Sequence, residues 1–373
     1  MNSIIEYFDG LVNENEILGA VCAVYKDEKE IFRYATGYSN AERTKPQTED
    51  GIFRLASMTK PITAVAVMIC VERGLLDLDA PISQYIKGFS HSGVGKLVEG
   101  KIVFEKPSRE LTIRQMLSHS SGLGSGEVGN LQWSRMKKPA TLKEAVEGFH
   151  GWYLDFEAGT AQAYSPFMAM EIAARAVEIV TGVPYGEFLE KEIFIPLGMK
   201  DTTHRLSKEQ LSRKHEMCIR KNKGFEISEF ETGFEAFVDG YTGASAGLYS
   251  TLDDYANFAR MLSGKGVFNG KRILSEESVA EIGNPQLPKT IAGVGDYFNW
   301  GLGVRVLEKQ GEHQPLPDGS FGWSGAYGTH FWIEPKTGLS AVLMLNARDA
   351  LGSGSPYSYR FEQLVQREFG ENK

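Results

Sequence analysis

Two short extended runs near the start of the chain flank a charged turn, a pattern that predicts a β-hairpin. The runs cover residues 20–25 and 30–36, and the turn between them has the sequence KDEK. Apolar runs bounded by turn residues are typical of paired strands. Strand patterns return only near the other end of the chain, at residues 300–307, 328–334 and 339–346. Residues 335–338 form a predicted turn between the last two of these strands.

Helical patterns dominate the remaining sequence. An amphipathic helix is predicted before the hairpin, and further helices at residues 58–73, 112–119, 141–149, 166–181, 184–192, 252–263, 275–282 and 357–369. This order predicts an α/β (α+β) fold, in which helices flank one sheet built from both chain ends and a mainly helical lobe is inserted. We expect one catalytic unit over residues 1–373, with residues 1–75 and 285–373 as the α/β lobe and 76–284 as the helical lobe.

The helix predicted at residues 58–73 carries the strongest chemical signal. No charged side chain occurs from Pro61 to Val71, and a helix that is apolar on every side is buried. Ser57 and Lys60 stand three residues apart at its beginning and therefore share a face. The free N–H groups at this end stabilise a developing negative charge. Burial without a partner charge favours the neutral lysine amine, which accepts protons. The pattern predicts Ser57 as a nucleophile and Lys60 as its proton-handling partner.

A bare Ser-x-x-Lys spacing is common, and most instances are a capping serine beside a surface lysine. Ser134 and Lys137 of this chain have the same spacing. They are predicted to lie in a basic loop with no core helix after it. The apolar helix after Lys60 is the feature that separates the two cases.

Several segments resemble one superfamily. FRLASMTKPITAVAVM and the nearby ERGLLDLDAPISQYI are similar to the active-site region of class C β-lactamase-like serine hydrolases, which include penicillin-binding DD-peptidases and family VIII carboxylesterases. LTIRQMLSHSSGL and SAGLYSTLDDYANFARML resemble other recurrent segments of the same proteins. The resemblance runs from about residue 19 to the last strand. It implies an acyl-enzyme mechanism on a small-molecule ester or amide, without a cofactor.

The resemblance also implies a second proton-handling residue. The family places a tyrosine in a Tyr-x-Asn or Tyr-Ser-x motif after a glycine-containing turn, and EAGTAQAYSP puts Tyr164 there. Ser165 and Pro166 suit the N-cap and first position of the next helix. Tyr164 would otherwise be a hydrophobic staple against Ala169, a poor partner. Pro166 replaces the family asparagine that holds substrate amides, which argues against β-lactam and peptide substrates.

A third element of the family is a Lys-Thr-Gly motif on a strand beside the nucleophile. Lys336, Thr337 and Gly338 spell it, but they lie in the predicted turn at 335–338. The resemblance instead aligns the motif with Trp323, Ser324 and Gly325 as substrate-binding residues. It assigns the backbone N–H of Ala326, with that of Ser57, to the oxyanion. Tryptophan at this position resembles the carboxylesterase branch; the alternative is an ordinary core aromatic.

Composition excludes several other classes. The 373 residues are 42% hydrophobic and 24% charged with a net charge of −8, which is ordinary for a globular protein. No basic cluster indicates a nucleic-acid partner, and the uncharged stretch at 61–71 is too short to cross a membrane. No spacing typical of a metal site occurs. Three scattered cysteines and acids among the first apolar residues predict a cytoplasmic protein with reduced thiols.

The sequence offers one competing nucleophile. Residues 243–247 match the G-x-S-x-G elbow of α/β-hydrolases, with Ser245 as the serine and His330 as a possible partner. An elbow requires a strand directly before the serine and a helix directly after it, and neither is predicted, so Ser245 is interpreted as structural. We expect a carboxylesterase acting on neutral esters. The open alternatives are a β-lactamase or DD-peptidase-type hydrolase, an acyltransferase, and a sensor that is acylated without turnover.

Overall fold

A seven-stranded antiparallel sheet forms the centre of the molecule. The structure is a computed structural model that describes residues 2–105, 109–221, 224–228, 241–311 and 314–370. The sheet has the order β12-β13-β14-β15-β16-β1-β2, and its strands are β1 (Gly19–Lys26), β2 (Lys29–Gly37), β12 (Phe298–Trp300), β13 (Arg305–Leu307), β14 (Phe321–Ser324), β15 (His330–Glu334) and β16 (Leu339–Met344). β16 pairs with β1, with Val21 opposite Met344. Both ends of the chain therefore contribute to one sheet, as the sequence predicts.

The α-helices are α1 (Asn2–Asn13), α2 (Thr59–Glu72), α3 (Ile113–Leu117), α4 (Glu127–Ser134), α5 (Leu142–Phe149), α6 (Met168–Thr181), α7 (Tyr185–Leu189), α8 (Ile195–Leu197), α9 (Lys208–Arg213), α10 (Leu252–Ser263), α11 (Glu276–Gly283) and α12 (Pro356–Phe369). A π-helical turn, Glu190–Phe194, joins α7 to α8. Small sheets carry the remaining described strands: β3 (Phe53–Arg54) with β9 (Tyr249–Ser250), β4 (Gly93–Val98) with β5 (Lys101–Glu105) and β6 (Tyr153–Leu154), β7 (Cys218–Lys221) with β8 (Gly224–Ile227), and β10 (Val267–Phe268) with β11 (Lys271–Arg272).

The two faces of the main sheet are covered by different helices. Successive side chains of a strand point to opposite faces. On β15, Phe331 and Ile333 belong to the larger core with α2, α6 and α10, while Trp332 packs in a second core with α1 and α12. Helices on both faces of a single sheet confirm the fold class predicted from the sequence. The division into lobes at residues 75 and 285 stays a prediction.

The central helix is buried as predicted. Every residue of α2 from Thr59 to Cys70 is buried. A short 3₁₀ turn, Ala56–Met58, leads into it, so that Ser57 lies just before the α-helix proper. None of the helices in the described ranges combines the length and the apolar character needed to cross a bilayer.

Three sequence predictions need correction. The single strand predicted at 300–307 is the β12–β13 hairpin, because Gly303 adopts φ +70 in the tight turn between them. Ser134 is the last residue of α4 and does not lie in a loop. The helix predicted from residue 166 begins at Met168, since the Pro166 carbonyl is held by a tertiary contact with Lys60.

Candidate active site

Ser57 and Lys60 meet where the 3₁₀ turn enters α2. Lys60 Nζ lies 3.3 Å from Ser57 Oγ. The lysine side chain is fully buried, while Ser57 is partly exposed. Ala56, directly before the serine, adopts φ +46, a region that costs strain for any residue with a Cβ. Serine and lysine thus share a face, as their spacing predicts, and the turn that presents the serine is strained.

Neutral acceptors surround the amine of Lys60. Its Nζ lies 2.8 Å from the Pro166 carbonyl oxygen and 3.1 Å from that of Ser245. In the part of the chain that the structure describes, no carboxylate forms an ion pair with it. A neutral amine has two N–H groups for these carbonyls and one lone pair, which is left to face Ser57 Oγ. The arrangement suits an amine that accepts the serine proton.

Tyr164 completes the cluster and contacts both Ser57 and Lys60. Its hydroxyl donates to Ser57 Oγ at 2.8 Å, and the indole N–H of Trp323 donates to the same phenol oxygen at 3.3 Å. Its ring stacks on Trp300 at 5.7 Å between centroids and lies 4.9 Å below Lys60 Nζ. The serine hydroxyl is therefore held between a phenol and an amine, each of which is held in turn by a further contact.

His119 supports Tyr164, a role that the sequence does not indicate, although His119 belongs to the LSHSSGL segment that resembles the family. Its Nδ1 accepts a hydrogen bond from the Ser165 N–H at 3.1 Å, and its ring lies 4.5 Å from that of Tyr164. Complete burial holds the His119 pKa well below 6.5, and a positive charge on Lys60 would lower this pKa further. The imidazole is neutral with its proton on Nε2, and it fixes the backbone that carries the tyrosine.

The end of β14 packs against the turn that carries Ser57. A Cβ added to Gly325 would lie 2.2 Å from the Leu55 carbonyl oxygen, so only glycine fits there. The Thr329 hydroxyl donates to the same carbonyl at 3.0 Å. Ala326 follows at the exposed tip of this strand. The N–H of Ser57 belongs to the first turn of a helix, where intrahelical acceptors are lacking. The end of β14 and the turn that carries Ser57 are thus in direct contact, and the role of the Ser57 and Ala326 N–H groups as oxyanion donors stays a prediction.

The structure directs the Ser324 side chain away from this cluster. Its Oγ lies 2.8 Å from His330 Nδ1, and His330 Nε2 lies 3.0 Å from Glu362 Oε1 on α12. All three side chains are buried. Because neighbours on a strand face opposite ways, Trp323 points to Tyr164 while Ser324 points to α12. Of the residues aligned with the family motif, Trp323 joins the cluster and Gly325 borders it, whereas the Ser324 side chain does not.

The side chains of the two competing motifs, Lys336-Thr337-Gly338 and the G-x-S-x-G match at 243–247, do not take the predicted catalytic positions. Lys336 is exposed in the turn between β15 and β16, as predicted. Ser245 is fully buried, and its hydroxyl donates to the Phe167 carbonyl at 2.5 Å. The histidine proposed as its partner, His330, contacts Ser324 and Glu362 instead. Ser245 enters the cluster through its backbone carbonyl, which accepts from Lys60.

Comparison with known proteins identifies the family. The β-lactamase family model matches residues 4–359. The chain belongs to the β-lactamase family. Esterase EstB of Burkholderia gladioli is 28% identical over 368 residues, which cover 91% of this chain and 88% of EstB. Penicillin-binding protein 4 of Amycolatopsis lactamdurans is 28% identical over 352 residues, 91% of this chain and 84% of that protein.

Solved structures confirm the β-lactamase-family fold. EstCE1, described as a hydrolase with promiscuous acyltransferase activity, superimposes with a TM-score of 0.81 at 23% identity, and the match covers 97% of both chains. Esterases and penicillin-binding proteins thus occur among the relatives of this chain at equal sequence identity. Overall similarity supports a hydrolase of this family and leaves the choice of substrate to the residues of the site.

Proposed function

We propose that the chain is a carboxylesterase that forms an acyl-enzyme at Ser57. The observation that carries the proposal is the placement of Ser57 Oγ between two proton-handling groups, 2.8 Å from the Tyr164 hydroxyl and 3.3 Å from Lys60 Nζ. A serine hydroxyl is a weak nucleophile until a neighbouring base takes its proton. The site contains that base in a buried position.

In the proposed acylation step, Ser57 Oγ attacks the ester carbonyl carbon while its proton passes to the Lys60–Tyr164 pair. The carbonyl oxygen becomes an oxyanion, which accepts hydrogen bonds from the N–H groups of Ser57 and Ala326. The C–O bond to the alcohol then breaks, and the alcohol leaves with the proton. Water then attacks the acyl carbon and gives a proton to the same pair; the bond to Ser57 Oγ breaks, the serine takes the proton back, and the carboxylic acid leaves. A second alcohol in place of water gives acyl transfer.

Two residues support a neutral ester over a β-lactam or a D-Ala-D-Ala peptide. Trp323 occupies the strand position where the family motif has a cation for a substrate carboxylate, and Lys336 lies in a distant turn. Pro166 has no side-chain amide for a substrate carbonyl. A β-lactam presents both groups, and each unpaired polar group costs about 1–3 kcal/mol. The apolar indole, which is 9% exposed, suits an uncharged acyl or alcohol group.

A cytoplasmic location is the accompanying proposal. It is supported by three buried cysteines with free thiols, Cys22, Cys70 and Cys218, which suit a reducing compartment.

The test is covalent labelling with a fluorophosphonate, followed by intact-protein mass spectrometry and peptide mapping. We expect one added label at Ser57, no label on Ser57→Ala, and loss of p-nitrophenyl butyrate turnover in that variant with its melting temperature retained. Ser134→Ala is the matched control, because Ser134 belongs to the other Ser-x-x-Lys spacing, and it should label and turn over normally. A label on Ser245 would overturn the proposal. A stoichiometric burst without a steady state would favour the sensor.

A further inference from the structure

Glu171 is a buried acid on α6 for which the proposed mechanism has no role. It is 0% exposed and lies beneath residues 243–247. Its Oε1 accepts from the N–H groups of Ala244 and Ser245, both at 2.9 Å, and its Oε2 accepts from the Tyr241 hydroxyl at 3.0 Å. Backbone N–H groups of a loop thus converge on one carboxylate. A buried carboxylate needs hydrogen-bond partners for stability alone. A purely structural role does not explain why the same loop also contacts a catalytic group.

This loop does reach the proposed base. Glu171 accepts from the N–H of Ser245, and the carbonyl of the same residue accepts from Lys60 Nζ at 3.1 Å. The Ser245 hydroxyl donates to the Phe167 carbonyl at 2.5 Å, next to Pro166, whose carbonyl accepts from the same amine. On its other side, the loop is held by the Thr63 hydroxyl of α2, which donates to the Ala244 carbonyl at 2.6 Å. Glu171 therefore braces one of the two carbonyls that orient Lys60.

We propose that Glu171 is a positioning residue that holds the Ser245 carbonyl against the Lys60 amine, so that the remaining lone pair faces Ser57. The inference rests on the proposed function and adds a control of activity by pH. A carboxylate accepts from every N–H and O–H around it. Once protonated, one of its oxygens becomes a donor, whereas the N–H groups of Ala244 and Ser245 can only donate to it. The loop then loses part of its anchorage, and the amine loses its orientation.

The ionisation falls in the neutral range. Burial raises the pKa of Glu171 to about 7, opposed by its hydrogen bonds from Ala244, Tyr241 and Ser245. Other titratable groups face the same region. Burial raises the pKa values of Tyr241 and Tyr185, and burial lowers that of His204 to about 4, so all three are neutral at pH 7. Glu178 pairs with Arg175 at 2.7 Å. Lys60 is the group acted upon. Activity should fall as pH drops through about 7, because the carboxylate form is lost.

The experiment compares wild type, Glu171→Gln and Glu171→Leu on p-nitrophenyl butyrate between pH 5 and 9. Glutamine does not titrate and, like the protonated acid, carries a donor where the carboxylate has its second acceptor. We therefore expect kcat of Glu171→Gln at pH 8 to fall to the level that wild type reaches below pH 7, and its pH profile to lose the ionisation near pH 7. Leucine removes the acceptors, and we expect kcat to fall about 10–100-fold with KM within about twofold, since a small misplacement of a catalytic group costs this much.

Glu178→Gln is the matched control, with the same substitution two turns later on the same helix, and it should leave the pH profile unchanged. An unaltered pH profile in Glu171→Gln would overturn the inference even if the leucine variant failed to fold. Tyr241→Phe gives an independent check. It removes a donor to the carboxylate, raises its pKa, and should shift the acid limb to higher pH. If the fluorophosphonate labels Ser57 but the pH profile of Glu171→Gln matches that of wild type, only this inference fails. If Ser57→Ala keeps turnover, the proposed function fails.

Discussion

Lys60 Nζ has three polar neighbours among the described residues, and all three are uncharged oxygen atoms. A buried ammonium without a counter-charge is costly, because several kcal/mol of hydration are lost. The carbonyl oxygens of Pro166 and Ser245, which accept from Nζ, offset part of this cost. At the residue scale, the proposed chemistry therefore depends on backbone carbonyl groups, which hold the Lys60 amine where a side-chain counter-charge is lacking among the described residues.

Lys60→Met should abolish most of the activity while preserving the fold. Methionine has a similar length and no charge, and losing a general base lowers kcat about 10²–10⁴-fold. The Pro166 and Ser245 carbonyls lose their donor, which lowers stability, but the cost of burying a polar amine is also removed. We therefore expect a melting temperature within a few degrees of wild type. Ester turnover and thermal unfolding measure the two effects. Lys137→Met, the lysine of the other Ser-x-x-Lys spacing, should be normal in both. Near-normal turnover in Lys60→Met would make this lysine a bystander.

Strand β14 decides, at the element scale, which residues reach the cluster. Its alternation places Trp323 beside Tyr164 and buries Ser324 in a chain of contacts with His330 and Glu362 on the opposite face. The geometry of that chain resembles a catalytic triad. However, the three side chains are buried beneath α12, on the face of the sheet away from Ser57. We interpret it as an anchor between the sheet and the last helix.

Ser324→Ala separates this role from the substrate-binding role predicted from the sequence. Removing the hydroxyl leaves His330 Nδ1 without its partner, which costs about 1–3 kcal/mol of stability. KM for p-nitrophenyl butyrate should stay within about twofold of wild type, because the side chain faces away from Ser57. Trp323→Phe is the adjacent comparison. It removes the indole N–H from the Tyr164 oxygen, and we expect kcat to fall. A raised KM in Ser324→Ala with unchanged thermal unfolding would restore the sequence prediction.

At the scale of the whole molecule, the site exists only because distant segments converge on the start of α2. Tyr164 and Pro166 lie on the approach to α6, and Ser245 lies on the loop before β9. Trp323 lies on β14, between β13 and β15 of the sheet that β1 joins from the other end of the chain. Substrate preference depends on the side chains that these separate segments bring to the site, so it is a property of the whole molecule.

Neutral esters should be preferred over β-lactams and D-Ala-D-Ala peptides. A substrate amide and a substrate carboxylate would each lack a partner, and two losses of about 1–3 kcal/mol correspond to roughly one to four decades in kcat/KM. Assays of p-nitrophenyl butyrate, nitrocefin and a D-Ala-D-Ala peptide, run side by side, measure this ratio. A higher kcat/KM for nitrocefin or the peptide would mean that the site holds their carboxylate by another group.

Local patterns were sufficient for much of the architecture. The apolar run after Lys60 determined a buried helix, because burying every face of a helix requires that every face be apolar. The spacing of Ser57 and Lys60 determined that they share a face, and the position of Lys336 between two strand patterns determined a turn. The hairpin near the start and the helix pattern at the end of the chain were also correct, since both depend on periodicity within a few residues.

Tertiary structure decided the contacts between distant segments, which the periodicity of the sequence does not contain. It split the strand predicted at 300–307, because Gly303 must turn where it meets α2: a Cβ there would lie 3.0 Å from the Lys60 carbonyl oxygen. It turned Ser324 away from the cluster, since the register of β14 sets which side chains face Tyr164. It brought His119, the Ser245 carbonyl and Glu171 to the proposed base. Backbone carbonyls carry no sequence signature, and a buried glutamate in an apolar helix is identified as a partner only when the loop above it is seen.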